Sequence, residues 1–198
     1  QFIYLATPSG WGTQAYTIVN STAVSGMIEI SFDPQVGNTS WTIPGGTSYG
    51  SVAFGGVQLA GQTQTFTFAG NVTATGRIAI SNSATNSIYT IDQAGFNLSG
   101  TSFAGPDLGT FTVNWNTGGG AFTTTASSSG WLNTSNLAGT FNGTVAMNFS
   151  SSTVTIAGYV LINNANDYFV MGSSVWTVAG VWTNISTNAS WDAGTGTV

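Results

Sequence analysis

Short alternating segments, each closed by turn-forming residues, constrain the fold of this chain more than any other sequence feature. GTFTVNW (109–115) and FNGTVAMNF (141–149) place large apolar side chains at every second position, which is the period of a half-buried strand. No segment keeps the three-and-four apolar spacing of an amphipathic helix. Turn formers such as DPQVGN (33–38) and TGGG (117–120) separate the strands. The pattern predicts an all-β chain.

The number and length of these segments favour a β-sandwich or jelly-roll-like domain over residues 13–198, because about ten short strands with intervening turns are typical of those folds. No clean internal repeat is visible. STVTIAGYVLI (152–162) and SVWTVAGVWTNI (174–185) are each interpreted as one strand. On the second, Trp176 and Trp182 would share a face, either as core residues, which we favour, or as a flat platform for sugar.

The first residues differ from the rest, and we predict that residues 1–12 form an N-terminal donor strand and its joint. QFIYLA is apolar on both faces, and Pro8 and Gly10 follow it and interrupt any continuous strand. Such a strand can complete the sheet of a neighbouring copy. The donor residues are Phe2, Ile3, Tyr4 and Leu5. Because the chain begins at Gln1 without Met, we also expect that a signal peptide has been removed.

Charged and reactive side chains are scarce, which excludes several classes of function. Only 4% of the residues are charged, Arg77 is the single basic residue, and the formal net charge is -5, so nucleic acid is excluded as a partner. The chain has no Cys and no His, which removes disulfides, zinc sites and the base of serine or cysteine nucleophile catalysis. No run of about 18 apolar residues predicts a membrane span.

The few carboxylates do not form a recognisable active site. A glycosidase needs two carboxylates across a cleft, and Glu29 is the lone Glu, in the alternating segment MIEIS. Asp33 and Asp107 lie next to Pro in turn contexts. Asp167, in NNAND, is a turn residue or a Ca²⁺ ligand, and we favour the turn. We therefore expect no enzyme activity, no catalytic residues, no metal and no cofactor other than covalent N-glycans.

N-glycosylation acceptor sequences are frequent. Nine of the seventeen Asn residues begin an Asn-x-Ser/Thr sequence, roughly twice the number that the Ser and Thr content gives by chance. Asn142 and Asn148 fall in phase with the polar side of their strand, where a bulky glycan remains in solvent. The nine acceptors are Asn20, Asn38, Asn71, Asn97, Asn133, Asn142, Asn148, Asn184 and Asn188.

The N-terminal QFIYLATPSG, the nine acceptors and the strand-rich body without Cys or Lys resemble the thread-type surface filaments of thermoacidophilic archaea. The resemblance implies N-glycosylated β-domains, each of which donates its N-terminal strand to the next subunit. The implied function is that of a secreted pilus subunit, assembled with copies of itself on the cell surface for adhesion or biofilm formation. The alternative is a secreted carbohydrate-binding or adhesive β-sandwich module, and a hydrolase or a viral coat protein is a third, less favoured interpretation.

The charge pattern also predicts acid tolerance. Between pH 7 and pH 2 the six acids are neutralised, and the net charge moves from -5 to about +1 or +2 with ordinary reference pKa values. That charge is too small to expand the fold by repulsion. We expect stability that is nearly independent of pH between about 2 and 7.

Overall fold

A computed structural model describes the greater part of the chain. The described residues are 14–17, 27–30, 38–55, 60–81, 86–106, 108–127, 132–134, 140–141, 143–162, 164, 166–184, 190–192 and 194–198. Over these residues the chain forms strands and turns, and no helix. In particular, the described residues contain no helix long and apolar enough to cross a membrane.

Three parallel sheets contain nearly all of the strands. The eight-stranded sheet consists of β1 (Gln14–Thr17), β3 (Thr39–Ile43), β6 (Thr63–Phe68), β9 (Ile88–Asp92), β13 (Thr112–Asn116), β17 (Thr144–Asn148), β20 (Tyr168–Val170) and β23 (Ser190–Asp192). The six-stranded sheet consists of β4 (Thr47–Tyr49), β7 (Val72–Ala74), β10 (Leu98–Gly100), β14 (Phe122–Thr124), β18 (Thr153–Ile156) and β21 (Val175–Val178). The seven-stranded sheet consists of β2 (Met27–Ile30), β5 (Ser51–Phe54), β8 (Ile78–Ile80), β11 (Phe103–Ala104), β15 (Leu132–Asn133), β19 (Val160–Ile162) and β22 (Trp182–Asn184). A small two-stranded sheet pairs β12 (Leu108–Gly109) with β16 (Thr140–Phe141).

The chain visits the three large sheets in a fixed order and returns to each one, which makes the fold a β-solenoid. From β3 to β8, for example, it passes through the eight-, six- and seven-stranded sheets twice in succession. Each strand pairs in parallel with the strand one turn away, so Thr39 lies opposite Gln64 and Gln64 opposite Tyr89. The all-β prediction is confirmed, whereas the β-sandwich or jelly-roll prediction is wrong, because every strand pairing is parallel and links successive turns.

The predicted domain boundary at residue 12, and with it the N-terminal donor strand of residues 1–12, lies outside the described residues. All of the described strands, from β1 onward, fall within the segment 13–198 that the sequence assigns to one domain.

Columns of inward-facing side chains from all three sheets form the core, and one column from each sheet shows the pattern. Alternation along a strand sends every second side chain inward, and the parallel register places those side chains above one another. The column on the eight-stranded sheet contains Trp41, Phe66, Ile91, Trp115, Met147 and Phe169, all buried. Val72, Leu98, Phe122, Val154 and Trp176 form the column on the six-stranded sheet. Val52, Ile78, Phe103, Leu132 and Val160 form that of the seven-stranded sheet.

Tight corners between the sheets require glycine at some positions. A Cβ at Gly45 would lie 2.1 Å from the Cα of Gly70, one turn away, and a Cβ at Gly180 would lie 2.5 Å from the carbonyl oxygen of Gly158. Gly158 and Gly180 mark the corners that divide the segments 152–162 and 174–185 into β18–β19 and β21–β22. The interpretation of each segment as one strand is therefore wrong.

The same corner changes the geometry of Trp176 and Trp182. The two residues do not share a face of one strand, because Trp176 lies on β21 and Trp182 on β22. Trp176 is 3% exposed, its ring centroid lies 5.0 Å from that of Trp182, and its indole Nε1 donates a hydrogen bond to Ser174 Oγ. Trp182 is partly buried against the core. The favoured assignment to the core is confirmed.

Candidate surface groove and glycan acceptors

A groove of about 270 Å³ lies on the outward face of the eight-stranded sheet. Its residues are Thr90, Asn114, Trp115, Asn116, Ala146, Met147, Asn148, Tyr168 and Val170. Along each strand the outward positions are two residues apart, and across strands they lie in register. Asn114, Ala146 and Tyr168 are one such set of register partners, and Asn116, Asn148 and Val170 are the next.

The depth of the groove comes from side-chain size. Ala146 is smaller than its two neighbours in the column, Asn114 on the preceding strand and Tyr168 on the following one. Neighbouring strands are about 4.8 Å apart, so the short methyl of Ala146 leaves a depression between two longer side chains. The groove thus combines amide groups with an aromatic ring and an apolar side chain, that of Val170.

Repeated corners follow the strands beside this groove. Asp92, Asn116, Asn148 and Asp192 end successive members of the eight-stranded sheet, with Val170 at the equivalent position of β20. Each of the four polar side chains accepts a hydrogen bond through Oδ1 from the backbone N–H two residues later, at 2.9–3.2 Å. This local hydrogen bond favours a turn after each strand.

The glycan acceptors that fall within the described residues lie at the surface. Asn38, Asn71, Asn97, Asn148 and Asn184 are exposed and Asn133 is half-buried, while Asn20, Asn142 and Asn188 lie outside the described residues. Three of these side chains also bridge successive turns through Oδ1. Asn38 accepts a hydrogen bond from the Thr63 N–H, Asn71 from the Asn97 N–H, and Asn97 from the Ala121 N–H. Occupancy of the acceptors by glycan stays a prediction.

The other residues singled out in the sequence do not form a reactive cluster where they are described. No three His, Cys, Asp or Glu side chains come together among the described residues. The donor residues Phe2, Ile3, Tyr4 and Leu5, and likewise Asp33 and Asp107, lie outside the described part. Of Glu29, the structure places the backbone in β2.

Asp167 is fully buried, contrary to what a simple surface turn would give. Its Oδ1 accepts a hydrogen bond from the Val145 N–H at 3.0 Å, whereas Oδ2 has no hydrogen-bond partner among the described atoms. Burial raises the pKa of Asp167 from 3.8 to about 6, and the hydrogen bonds from the Thr134 side chain and the Val145 backbone lower it by less. Asp167 is therefore a structural carboxyl group whose charge is unfavourable in the fold.

Comparison with known proteins yields no relative. No protein-family model, no curated protein and no solved structure matches this chain. The groove and the acceptor sites are therefore interpreted from their own chemistry.

That chemistry is suited to the binding of neutral polar ligands. Amides and hydroxyl groups hydrogen-bond to neutral polar ligands, and a tyrosine ring packs against apolar faces. The groove contains no carboxylate and no basic side chain. The sequence could not have predicted this groove, since Asn114, Ala146 and Tyr168 are far apart in the chain and only the solenoid register brings them together.

Proposed function

We propose that this chain is a structural subunit of an extracellular surface filament, in which copies stack head to tail through the open edges of their β-sheets. The observation that carries the proposal is the edge formed by β22 and β23, which are the last strands of their sheets among the described residues. Val175, Val181 and Val198 are 54%, 68% and 69% exposed at this end of the solenoid. Among the described residues, only one other large hydrophobic side chain, Phe96, is exposed. Within the part of the chain whose side chains are described, the exposed apolar surface is thus concentrated at this end.

A strand at the edge of a sheet can pair with an added strand from another chain through main-chain hydrogen bonds. When the added strand comes from an identical copy, the contact is heterologous, and its repetition produces an open filament. The strand Phe2–Leu5 is the proposed partner for this edge in the next copy. In a solenoid the added strand would extend a sheet at its end. This differs from a sandwich, in which a donor strand fills a missing position inside the sheet.

The lateral surface supports an extracellular location on the cell surface, where such a filament would serve adhesion or biofilm formation. Charge is scarce over the whole chain, and the outward columns consist largely of hydroxyl and amide side chains, for example Thr73, Ser99, Thr123 and Thr155 on the six-stranded sheet. A protein with so little surface charge needs another source of solubility. N-glycans at the exposed acceptors would supply it.

Introducing a charge at the open edge is expected to prevent assembly. Val181→Lys places an ammonium group beside β22, where a neighbouring copy would have to bury it, and edge lysines are a general means of blocking sheet addition. The matched control is Thr125→Lys, which adds the same charge at an exposed position directly after β14, away from the open edge. Electron microscopy and sedimentation velocity measure filament formation, and circular dichroism checks the fold.

Filaments are expected for the natural chain and for Thr125→Lys, and monomers for Val181→Lys. A natural chain that stays monomeric at all concentrations, or equal loss of filaments in both variants, would refute head-to-tail stacking through this edge. Deleting residues 1–8 tests the donor strand separately, since normal polymerisation of the truncated chain would exclude that strand from the contact.

Glycosylation has its own measurement. We expect at least five of the nine acceptor Asn residues to carry glycan in material from the native host, because the acceptors are in excess and those described lie at the surface. Intact-mass spectrometry tests this expectation, and a mass equal to the bare 20.3 kDa of the polypeptide would contradict it. Peptide mapping before and after enzymatic removal of the sugar assigns the sites.

A further inference from the structure

We propose that the groove on the eight-stranded sheet is the seat of the protein's own N-linked sugar, attached at Asn148, whose first pyranose ring rests against Tyr168 and Val170. The inference rests on the proposed glycosylated, extracellular character of the chain. Among the described acceptors, Asn148 is the one that lines this groove. The occupant is thus identified by an attachment point that belongs to the groove itself.

The corner after β17 holds the Asn148 side chain in one orientation. Oδ1 of Asn148 accepts hydrogen bonds from the Ser150 N–H at 3.0 Å and from the Ser150 hydroxyl at 3.3 Å. Among the described residues, both hydrogen bonds of this side chain engage Oδ1, which leaves Nδ2 available for attachment. The side chain itself is exposed, so a transferase can reach it.

Ser150 is an unusual residue for its backbone conformation, with φ of 48°. The equivalent corner positions after β13, β20 and β23 are Gly118, Gly172 and Gly194, all with positive φ. A side chain at such φ costs roughly 1 kcal/mol more than glycine. A hydroxyl residue two positions after Asn148 is what an acceptor sequence requires, and Ser150 meets that requirement at a corner that otherwise uses glycine after β13, β20 and β23 and alanine, Ala94, after β9.

The attachment step involves one bond made and one bond broken. A host transferase supplies a sugar activated as a glycosyl phosphate or diphosphate. Nδ2 of Asn148 forms a bond to the anomeric carbon, the bond from that carbon to the phosphate oxygen breaks, the phosphate leaves with the bonding electrons, and Nδ2 loses one proton.

The residues around Asn148 match the two kinds of surface that a pyranose presents. Tyr168 and Val170 are half-buried and offer an aromatic ring and an apolar side chain to the C–H face of the sugar. Asn114 and Asn116, on the opposite side of Ala146 and Asn148, are exposed amides that can donate to and accept from sugar hydroxyl groups. The groove volume of about 270 Å³ is enough for one sugar unit.

Removing the acceptor sequence while keeping Asn148 provides the test. Ser150→Ala abolishes the acceptor, and alanine is tolerated at this corner because Ala94 has φ of 51° at the equivalent position after β9. The matched control is Thr73→Ala, which abolishes the acceptor at Asn71 on the six-stranded sheet, away from the groove. Both variants are made with glycan in the native or a glycosylating host and without glycan in a host that lacks the transferase.

Loss of the sugar at Asn148 is expected to lower the melting temperature of the glycosylated protein by about 2–4 °C, the shift typical of one modest contact in a domain of this size. The difference in melting temperature between the natural chain and Ser150→Ala, both made without glycan, corrects for the effect of the substitution itself. Thr73→Ala should give no such glycan-dependent shift. In the glycosylated protein, Tyr168→Ala should remove the difference between the forms with and without sugar at Asn148.

Three outcomes would overturn the inference: an unoccupied Asn148 by peptide mapping, an occupied Asn148 with no glycan-dependent shift, or saturable binding of free monosaccharides by the unglycosylated chain in the groove. The last outcome would make the groove a site for external carbohydrate. Filament formation is scored on the same preparations. If no filaments form but the glycan at Asn148 still raises the melting temperature, the assembly proposal is refuted and the inference about Asn148 stands.

Discussion

Replacing Trp115 with alanine is expected to lower the free energy of unfolding by ~3–5 kcal/mol, the usual cost of truncating a large aromatic residue in a core. Trp115 is 1% exposed, and its ring centroid lies 5.2 Å from Phe103, 5.5 Å from Phe54 and 6.0 Å from Phe122. These three partners belong to the other two sheets. Trp115 therefore joins all three sheets near the middle of the solenoid.

The indole of Trp115 also satisfies a buried polar group. Its Nε1 donates a hydrogen bond to Oε1 of Gln93 at 3.1 Å, and Gln93 is fully buried. Alanine would leave this acceptor without that donor, which adds ~1–3 kcal/mol of desolvation cost unless water enters the cavity. Trp115→Phe separates the two contributions, since it keeps most of the ring contacts and removes only the donor.

Chemical denaturation followed by circular dichroism measures these changes. Asn114→Ala is the matched control, because Asn114 is exposed on the same strand, and substitutions at such positions usually stay within about 0.5 kcal/mol. Because the stability of a solenoid is distributed over stacked turns, Trp115→Ala should also broaden the transition. Equal stability of Trp115→Ala and Asn114→Ala would show that the three sheets do not share this core.

The alternating pattern predicts individual strands well. β17 lies within the predicted segment 141–149, and Val145 and Met147 are buried as the alternation requires. Alternation determines which side chains point inward, but it does not determine which strand pairs with which. The pairing depends on the corners at glycines such as Gly158 and Gly180. In the sequence these glycines look like ordinary small residues within long strands.

The signal that would have predicted a solenoid is present but irregular. Asp92, Asn116, Asn148 and Asp192 each begin a similar corner, yet the intervals between them are unequal and Val170 interrupts the series. An insertion before β17 lengthens one turn. A search for a constant period therefore finds no repeat, although the strands return to the same sheet at each turn.

The candidate site could likewise be predicted from the sequence only in part. The acceptor sequences are local, and the prediction that Asn148 faces outward is confirmed. The groove is not local, because it depends on the small side chain of Ala146 lying beside Tyr168 on the next turn. Only the register of the parallel sheet reveals that contact.

Replacing Asp167 with asparagine is expected to stabilise the protein at pH 7 by up to ~3 kcal/mol. This value is the cost of a pKa displaced by about two units at 1.36 kcal/mol per unit, since burial raises the pKa of Asp167 from 3.8 to about 6. Asparagine keeps an acceptor for the Val145 N–H and carries no charge. Oδ2, which has no hydrogen-bond partner among the described atoms, shows why the charged form is poorly accommodated.

The sign of the pH dependence follows from the direction of the displacement. The folded chain holds the Asp167 proton more tightly than the unfolded chain, so this carboxyl contributes its full stabilising effect below pH 3.8. The contribution is lost as the pH rises through about 6. The expectation of stability independent of pH must therefore be revised, since the natural chain should be more stable near pH 4 than at pH 7.

Urea denaturation of the natural chain and of Asp167→Asn at several pH values between 4 and 7 tests this prediction. The natural chain should lose stability as the pH rises, while the curve of Asp167→Asn should be nearly flat and meet that of the natural chain near pH 4. Asp92→Asn serves as the control, because it removes a half-exposed carboxylate and keeps the corner acceptor for Ala94, and the slope of the natural chain should persist in it. A natural chain equally stable at pH 4 and pH 7, or an Asp167→Asn variant less stable than the natural chain at pH 7, would show that Asp167 is not held in an unfavourable charged state.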